Sequence, residues 1–349
     1  MSDGRDPVAV RANGENDLYE VSEWEVRSRI DALSVWLYGA LVRGGRLFVV
    51  VFAVLILALQ GALGGLSALT ENPVIAVFTL FSVVPAALLA GYVWQADVTT
   101  QEPLRLLVAT FLLGLLFAGF AGVLNSVVAI GTEELALTTG AVGFAVQIAT
   151  FYVVVGPVEE TVKLLAVRLY PYRSRHFDAV VDGAVYGAVA GLGFATIENV
   201  VYVSGITQGI ADPLDLIATG SAIAAVRALA GPGHVIYSAF AGYYLGLAKF
   251  NPDRAGPIIV KGLLIAALIH ATYNALAGVV PALVADQLGV PWFVAFVGFV
   301  VGYDGIFGLV LLAKLTRYRR VYRDVHGDGR DRGPASTAGP APERTEFDP

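Results

Sequence analysis

The chemistry of this chain is concentrated in four consecutive apolar stretches. Gly156-Pro157-Val158-Glu159-Glu160-Thr161-Val162-Lys163 lies inside a run from Gly140 to Tyr170 that is otherwise apolar enough for a lipid bilayer. Two adjacent carboxylates at that depth are costly and therefore rare unless the site uses them. The next stretches carry Glu198 and Asn199, then Arg227, His234 and Ser238, then His270 and Asn274. Carboxylates and imidazoles gathered away from water can activate a bound water, hold a divalent metal, or relay ions across the membrane. Each residue also has a structural reading: an ion pair of Glu159-Glu160 with Lys163 or Arg227, a packing histidine, or a pairing of Arg227 with Glu198. The same dipeptide at Glu133-Glu134 falls in a polar connection, so the pair alone carries no information.

Spacing is more informative. Glu159 with Lys163, Phe194 with Glu198, His234 with Ser238 and His270 with Asn274 are each four apart, which puts each pair on one helix face. Four such faces turned inward would line one cavity. Counted from span midpoints, His234 and His270 fall near the bilayer centre, Glu159 ~6 Å to the cytoplasmic side and Glu198 ~5 Å to the outer side. Gly156-Pro157 precedes Glu159 and Gly231-Pro232-Gly233 precedes His234, so both helices are expected to break just before the residue of interest. Such breaks are tolerated in a membrane where protein or trapped water satisfies the freed backbone groups.

The elements that must hold these residues are membrane helices. Hydrophobic residues make up 56% of the 349 and charged residues 15%, with a mean hydropathy of +0.68, a balance that points to an all-α, polytopic membrane protein. Eight apolar spans are predicted, at 47–69, 74–94, 104–130, 141–167, 181–204, 218–247, 257–281 and 291–315. Connections on one side hold Glu71, Glu133, Glu134, Asp212, Asp215 and Asp286 and no Lys or Arg. The other side holds Arg168, Arg173, Arg175, Lys249, Arg254, Lys314 and Arg317, which places both termini in the cytoplasm. The 95–103 connection departs from that rule, being acidic through Asp97 and Glu102, and Asp178 and Asp182 read as interfacial.

Three regions follow. Residues 1–45 form a cytoplasmic segment with an amphipathic interfacial helix over 18–41, 46–320 a membrane domain with its motif core at 140–280, and 321–349 a disordered cytoplasmic tail. With no cysteine, thiol catalysis and Cys-ligated metals are excluded. Basic residues gather at helix ends and form no nucleic-acid patch.

Taken in order, Glu159-Glu160-x-x-Lys163, Phe194-x-x-x-Glu198, His234 and His270-x-x-x-Asn274 resemble the PrsW family of membrane proteases, which belongs with the CAAX-processing and bacteriocin-processing membrane proteases. The resemblance covers about residues 140 to 280. It implies an intramembrane peptidase of the plasma membrane acting on a membrane-protein substrate, in the regulatory manner of an anti-sigma-factor cut. Peptide hydrolysis by such a set needs an activated water, a donor for the carbonyl and a proton for the leaving amine, which assigns roles: Glu159 or Glu160 as general base, Glu159 first, with Glu160 orienting or coordinating and Lys163 as its charge partner, His270 and Asn274 at the carbonyl, and His234 orienting water. Glu198 belongs to the same set, supported by Phe194 and Arg227. The cofactor is either none or one divalent ion, zinc first, drawn from His234, His270, Glu160 and Glu198. The alternatives are an ion- or proton-coupled transporter and a non-catalytic membrane scaffold.

Overall fold

Helix follows helix because long apolar segments in lipid must satisfy their backbone groups internally. The computed structural model describes residues 6–12, 17–41, 73–99, 102–135 and 140–331, and these contain no strand. The elements are α1 (Pro7–Arg11), α2 (29–41), α3 (Pro73–Gln95), α4 (Leu104–Leu135), α5 (Ala141–Thr150), α6 (Gly156–Leu169), α7 (Val180–Thr207), α8 (Pro213–Phe250), α9 (Ala255–Leu276), α10 (Val279–Leu288) and α11 (Trp292–Asp331). A π-helical turn, Phe151–Val155, fuses α5 and α6 into one crossing. Among the described residues seven segments are long and apolar enough to span a membrane: α3, α4, α5–α6, α7, α8, α9 and α11. The protein is thus an all-α, polytopic membrane protein. The predicted span at 47–69 lies outside the described residues.

The bundle is arranged about α7. Of its most apolar window 89% is buried, against 22% for α3. Its sequence explains this: Gly183, Gly187 and Gly191 repeat every fourth residue, and small residues on one stripe let helices approach closely in lipid. At Gly191 an added Cβ would lie 2.4 Å from the carbonyl oxygen of His234, so the glycine sets how near α8 and its histidine can come. The packing of α7 on α8 is the most extensive in the protein.

The two expected helix breaks resolve differently. Before Glu159 the chain loosens into the π turn, and α6 restarts with Pro157 in its first turn, where the missing N–H costs nothing. Through Gly231-Pro232-Gly233, by contrast, α8 runs on unbroken for its full 38 residues. At its start the Asp212 side chain accepts the N–H groups of Leu214 and Asp215 at 2.8 and 3.0 Å. Neighbouring helices in a membrane bundle make an internal proline tolerable.

The termini also differ from the sequence reading. Helix is found over 29–41 only. Residues 17–28 instead fold against the C-terminal end of α8, where Asn251 accepts the N–H of Trp24 at 3.1 Å and donates to the Ser22 carbonyl at 3.0 Å. Glu20 sits there in left-handed backbone geometry (φ 56°). Its carboxylate pairs with Lys261 of α9 and, at 2.6 Å, with Lys314 of α11, and its carbonyl accepts from Tyr243 at 2.6 Å. Asp31 adds a 2.5 Å pair with Lys261. At the other end α11 continues to Asp331, beyond the expected start of the tail. Tyr318, Tyr322 and His326 stack at helical spacing along that extension; residues 332–349 lie outside the described residues.

The N-terminal tether should be sensitive to acid. Burial pushes the Glu20 carboxyl up, but Lys314 and Lys261 outweigh it and hold the group below its ordinary value of 4.5. A depressed carboxyl stabilises the fold above the unfolded value and loses that contribution as the pH falls. Hydrogen exchange over residues 17–31 is therefore expected to stay slow at neutral pH and to speed up as the pH drops below about 4.5.

Candidate active site

Four helices bring the polar residues to one place. Gly156 makes this possible on α6: a Cβ there would lie 2.7 Å from the carbonyl oxygen of Ala267, so α6 and α9 touch one turn from Glu159 and His270. Glu159, Glu160 and Lys163 are then at most 3% exposed, and His234 and His270 are buried beside them.

Glu160 is the most heavily bonded group. Its Oε1 accepts from Lys163 Nζ at 2.7 Å and pairs with His270 Nδ1 at 2.9 Å. Its Oε2 accepts from Ser238 Oγ at 3.4 Å. A carboxylate on Nδ1 makes that nitrogen the donor, which leaves His270 Nε2 with a free lone pair. This Nε2 lies 3.7 Å from Glu159 Oε2.

Glu159 is held differently. Asn125 of α4 donates its Nδ2 to Glu159 Oε1 at 2.9 Å. The Oε2 is buried, accepts no hydrogen bond and stands 3.8 Å from Lys163 Nζ. An acceptor left bare away from water is costly, so it marks a place where something else is meant to bind.

His234 links the two halves of the cluster. Its Nδ1 is 2.9 Å from Lys163 Nζ, which can only donate, so Nε2 carries the ring proton and donates to Glu198 Oε2 at 2.8 Å. Arg227 Nη2 donates to the same oxygen at 2.6 Å, and its Nε donates at 2.8 Å to Asn199, whose amide reaches Ser82 of α3 at 2.9 Å. Phe194 forms a wall: its ring stacks on His234, centroids 5.5 Å apart, and the Lys163 ammonium sits 4.2 Å over its face. Three carboxylates therefore face two fixed cations, leaving one negative charge without a counter-charge when the imidazoles are neutral.

Beside the cluster is a cavity of about 690 Å³ lined by Asn125, Glu159, Glu198, Arg227, His234 and Asn274, with Gln147 and Thr150 of α5 on its far wall. Asn274 makes no side-chain hydrogen bond to the described residues, so its amide is free to meet a ligand. The structure gathers Glu159, Glu160, Lys163, Phe194, Glu198, Arg227, His234, His270 and Asn274 about one centre. Asn125 is the member that sequence reading left without a role; the signal was a lone amide in an otherwise apolar helix.

Part of this donor set suits a metal ion. Glu159, His234 and His270 can each offer one ligand atom, all within 4.8 Å of one another. Two imidazoles and a carboxylate with a bare oxygen fit a zinc-type ion, provided His234 gives up its bond to Lys163 or Glu198. Glu160 and Glu198 are engaged by other side chains and each holds one of the histidine rings, the place of groups that orient ligands.

A helical membrane bundle enclosing buried carboxylates, histidines and an adjoining cavity is the framework of a membrane-embedded enzyme. The family model for PrsW family intramembrane metalloproteases matches residues 102–302. The chain belongs to that family and is an intramembrane peptidase. It is 30% identical over 200 residues to Protease PrsW of Clostridioides difficile, covering 56% of this chain and 76% of that one. Against Protease PrsW of Bacillus subtilis it is 30% identical over 194 residues, 55% of this chain and 78% of the relative. The corresponding protein of Geobacillus kaustophilus is 30% identical over 201 residues, 57% and 79%. No solved structure matches.

Proposed function

We propose that the peptidase hydrolyses its substrate with a water held between Glu159 Oε2 and His270 Nε2. The observation that carries this is the bare Oε2 of Glu159, buried on a residue that lines the cavity and 3.7 Å from a nitrogen lone pair. Glu159 takes the proton of the attacking water and returns it to the leaving amine, and Asn125 keeps its carboxylate turned toward the cavity. His270, fixed through Glu160 and Lys163, presents a lone pair and so orients water rather than an oxyanion. The free amide of Asn274 is the donor for the scissile carbonyl. Glu198, Arg227 and Phe194 fix the ring of His234.

A second reading rests on the convergence of Glu159, His234 and His270, which would hold a zinc-type ion. Such an ion supplies Lewis acidity at the carbonyl and lowers the pKa of bound water. Glu198, which lines the cavity and lies outside that ligand set, would then accept the proton. The substrate class is a membrane-anchored protein of the plasma membrane, with 46–320 as the membrane domain, and a regulatory cut of the anti-sigma-factor kind is the use that the family resemblance implies.

The test compares membrane-protein fragments in cells carrying the parent protein and Glu159→Ala. A fragment present with the parent and missing with the variant is expected at equal protein abundance; identical fragments in both would sink the assignment. With that fragment as readout, cleavage by purified protein that ignores a chelator fits the metal-free route. Cleavage lost to the chelator and restored by zinc fits the second.

A further inference from the structure

The acidic connection that departs from the charge asymmetry packs against the start of α7, well away from the peptidase cavity. Asp97 and Glu102 lie beside Asp182, in the first turn of α7. From Asp182 to Glu198 is 16 residues along one helix, about 24 Å. One oxygen from each of the three carboxylates lies within 4.8 Å of the other two.

Each carboxylate has one oxygen fixed by donors. Asp182 Oδ2 accepts the N–H groups of Asp178 at 2.7 Å and Ala179 at 2.8 Å. Asp97 Oδ1 accepts from Thr99 N and Oγ1 at 2.8 and 2.7 Å, and Glu102 Oε2 accepts from the Tyr186 hydroxyl. The second oxygens are left over. Glu102 Oε1 and Asp97 Oδ2 are buried and accept nothing, and Asp182 Oδ1 has only Thr99 Oγ1 at 3.4 Å. Glu102 is 2% exposed and Asp182 fully buried, so solvent does not satisfy them.

No lysine or arginine makes an ion pair with any of the three among the described residues. Lys249 donates instead to the carbonyls of Tyr172 at 2.8 Å and Phe177 at 2.6 Å. The orphaned oxygen of Glu102 separates this group from an ordinary solvated acidic patch: it is buried and accepts nothing, on a carboxylate that Tyr186 fixes through its other oxygen and that lies beside two more.

We propose that Asp97, Glu102 and Asp182 bind a hard divalent cation of the calcium or magnesium class. An all-oxygen donor set with no imidazole or thiolate selects such ions over zinc. The cation ties Asp97, just past the end of α3, and Glu102, just before α4, to the first turn of α7, the helix that carries Phe194 and Glu198. It is a structural site, separate from the one that cuts peptides.

The test uses the purified full-length protein in detergent, stripped with a chelator and titrated separately with calcium and magnesium while thermal unfolding is followed. A rise in midpoint of about 2–4 °C is expected at cation about tenfold above its dissociation constant, growing with the logarithm of concentration beyond it. The rise should vanish in Asp97→Asn and Glu102→Gln, which leave the backbone cap made by Asp182 in place, and persist in Glu159→Ala. Three results would overturn the site: a parent midpoint indifferent to both ions, a rise that survives in Asp97→Asn and Glu102→Gln (lipid or detergent effects), or a rise lost in Glu159→Ala. A Glu102→Gln protein that is more stable than the parent, with neither responding to cation, would mean that the three carboxyls share protons instead.

Discussion

Glu159→Gln is expected to lower cleavage by about 10²–10⁴-fold while leaving the fold in place. Glutamine keeps a carbonyl oxygen for the 2.9 Å bond from Asn125, and no hydrogen bond is lost at the second position because Oε2 has none. What disappears is the ability to accept a proton from water. Substrate turnover and thermal midpoint should be measured on the same membranes. If Glu159 served only as an ion-pair partner for Lys163, 3.8 Å away, the variant would lose protein and keep specific activity.

Glu160→Leu has the opposite profile, expected to cost about 3–5 kcal/mol of stability as well as activity. Its carboxylate is the nearest charge partner of Lys163, and its loss leaves an ammonium that is 1% exposed with only the more distant Glu159 and a neutral ring nitrogen. It also frees the ring of His270, held at Nδ1 by the same oxygen. Adding Lys163→Met should recover most of the stability, since a buried pair replaced by apolar groups is often neutral, and none of the cleavage. A double variant as unstable as the single one would show that the cost lies in packing rather than in an uncompensated charge. Unfolding in detergent reports the stability, and substrate turnover the cleavage.

The contrast between these neighbours shows how far sequence could reach. Hydropathy and loop charge identified the membrane class, and four-residue spacing picked out the inward stripes, because both depend on one helix at a time. Adjacent residues on a helix are turned about 100° apart, so Glu159 and Glu160 necessarily meet different partners. Which of them kept a bare oxygen depended on Asn125 from α4 and on His270 from α9. Those distances are set by close backbone contacts at Gly156 and Gly191, and composition cannot report them. The N-terminal segment was read as one surface helix because its apolar residues have helical spacing. Tertiary partners decided otherwise, since Glu20 and Asp31 find ammonium groups on α9 and α11 that the local pattern does not contain. The unbroken passage of α8 through Pro232 has the same origin.

The π turn at Phe151–Val155 gives one crossing two mechanical characters. On its inner side α6 buries eight residues, including the ion-paired cluster; on its outer side neither α5 nor the turn buries any, and Val153 is 73% exposed. The free energy needed to open a segment follows the contacts it must break. The outer half is therefore retained by the bilayer and the inner half by the protein. Since α5 is also a wall of the cavity, a polypeptide approaching sideways through lipid meets a panel hung on a fixed post, and displacing the panel leaves the carboxylates where they were.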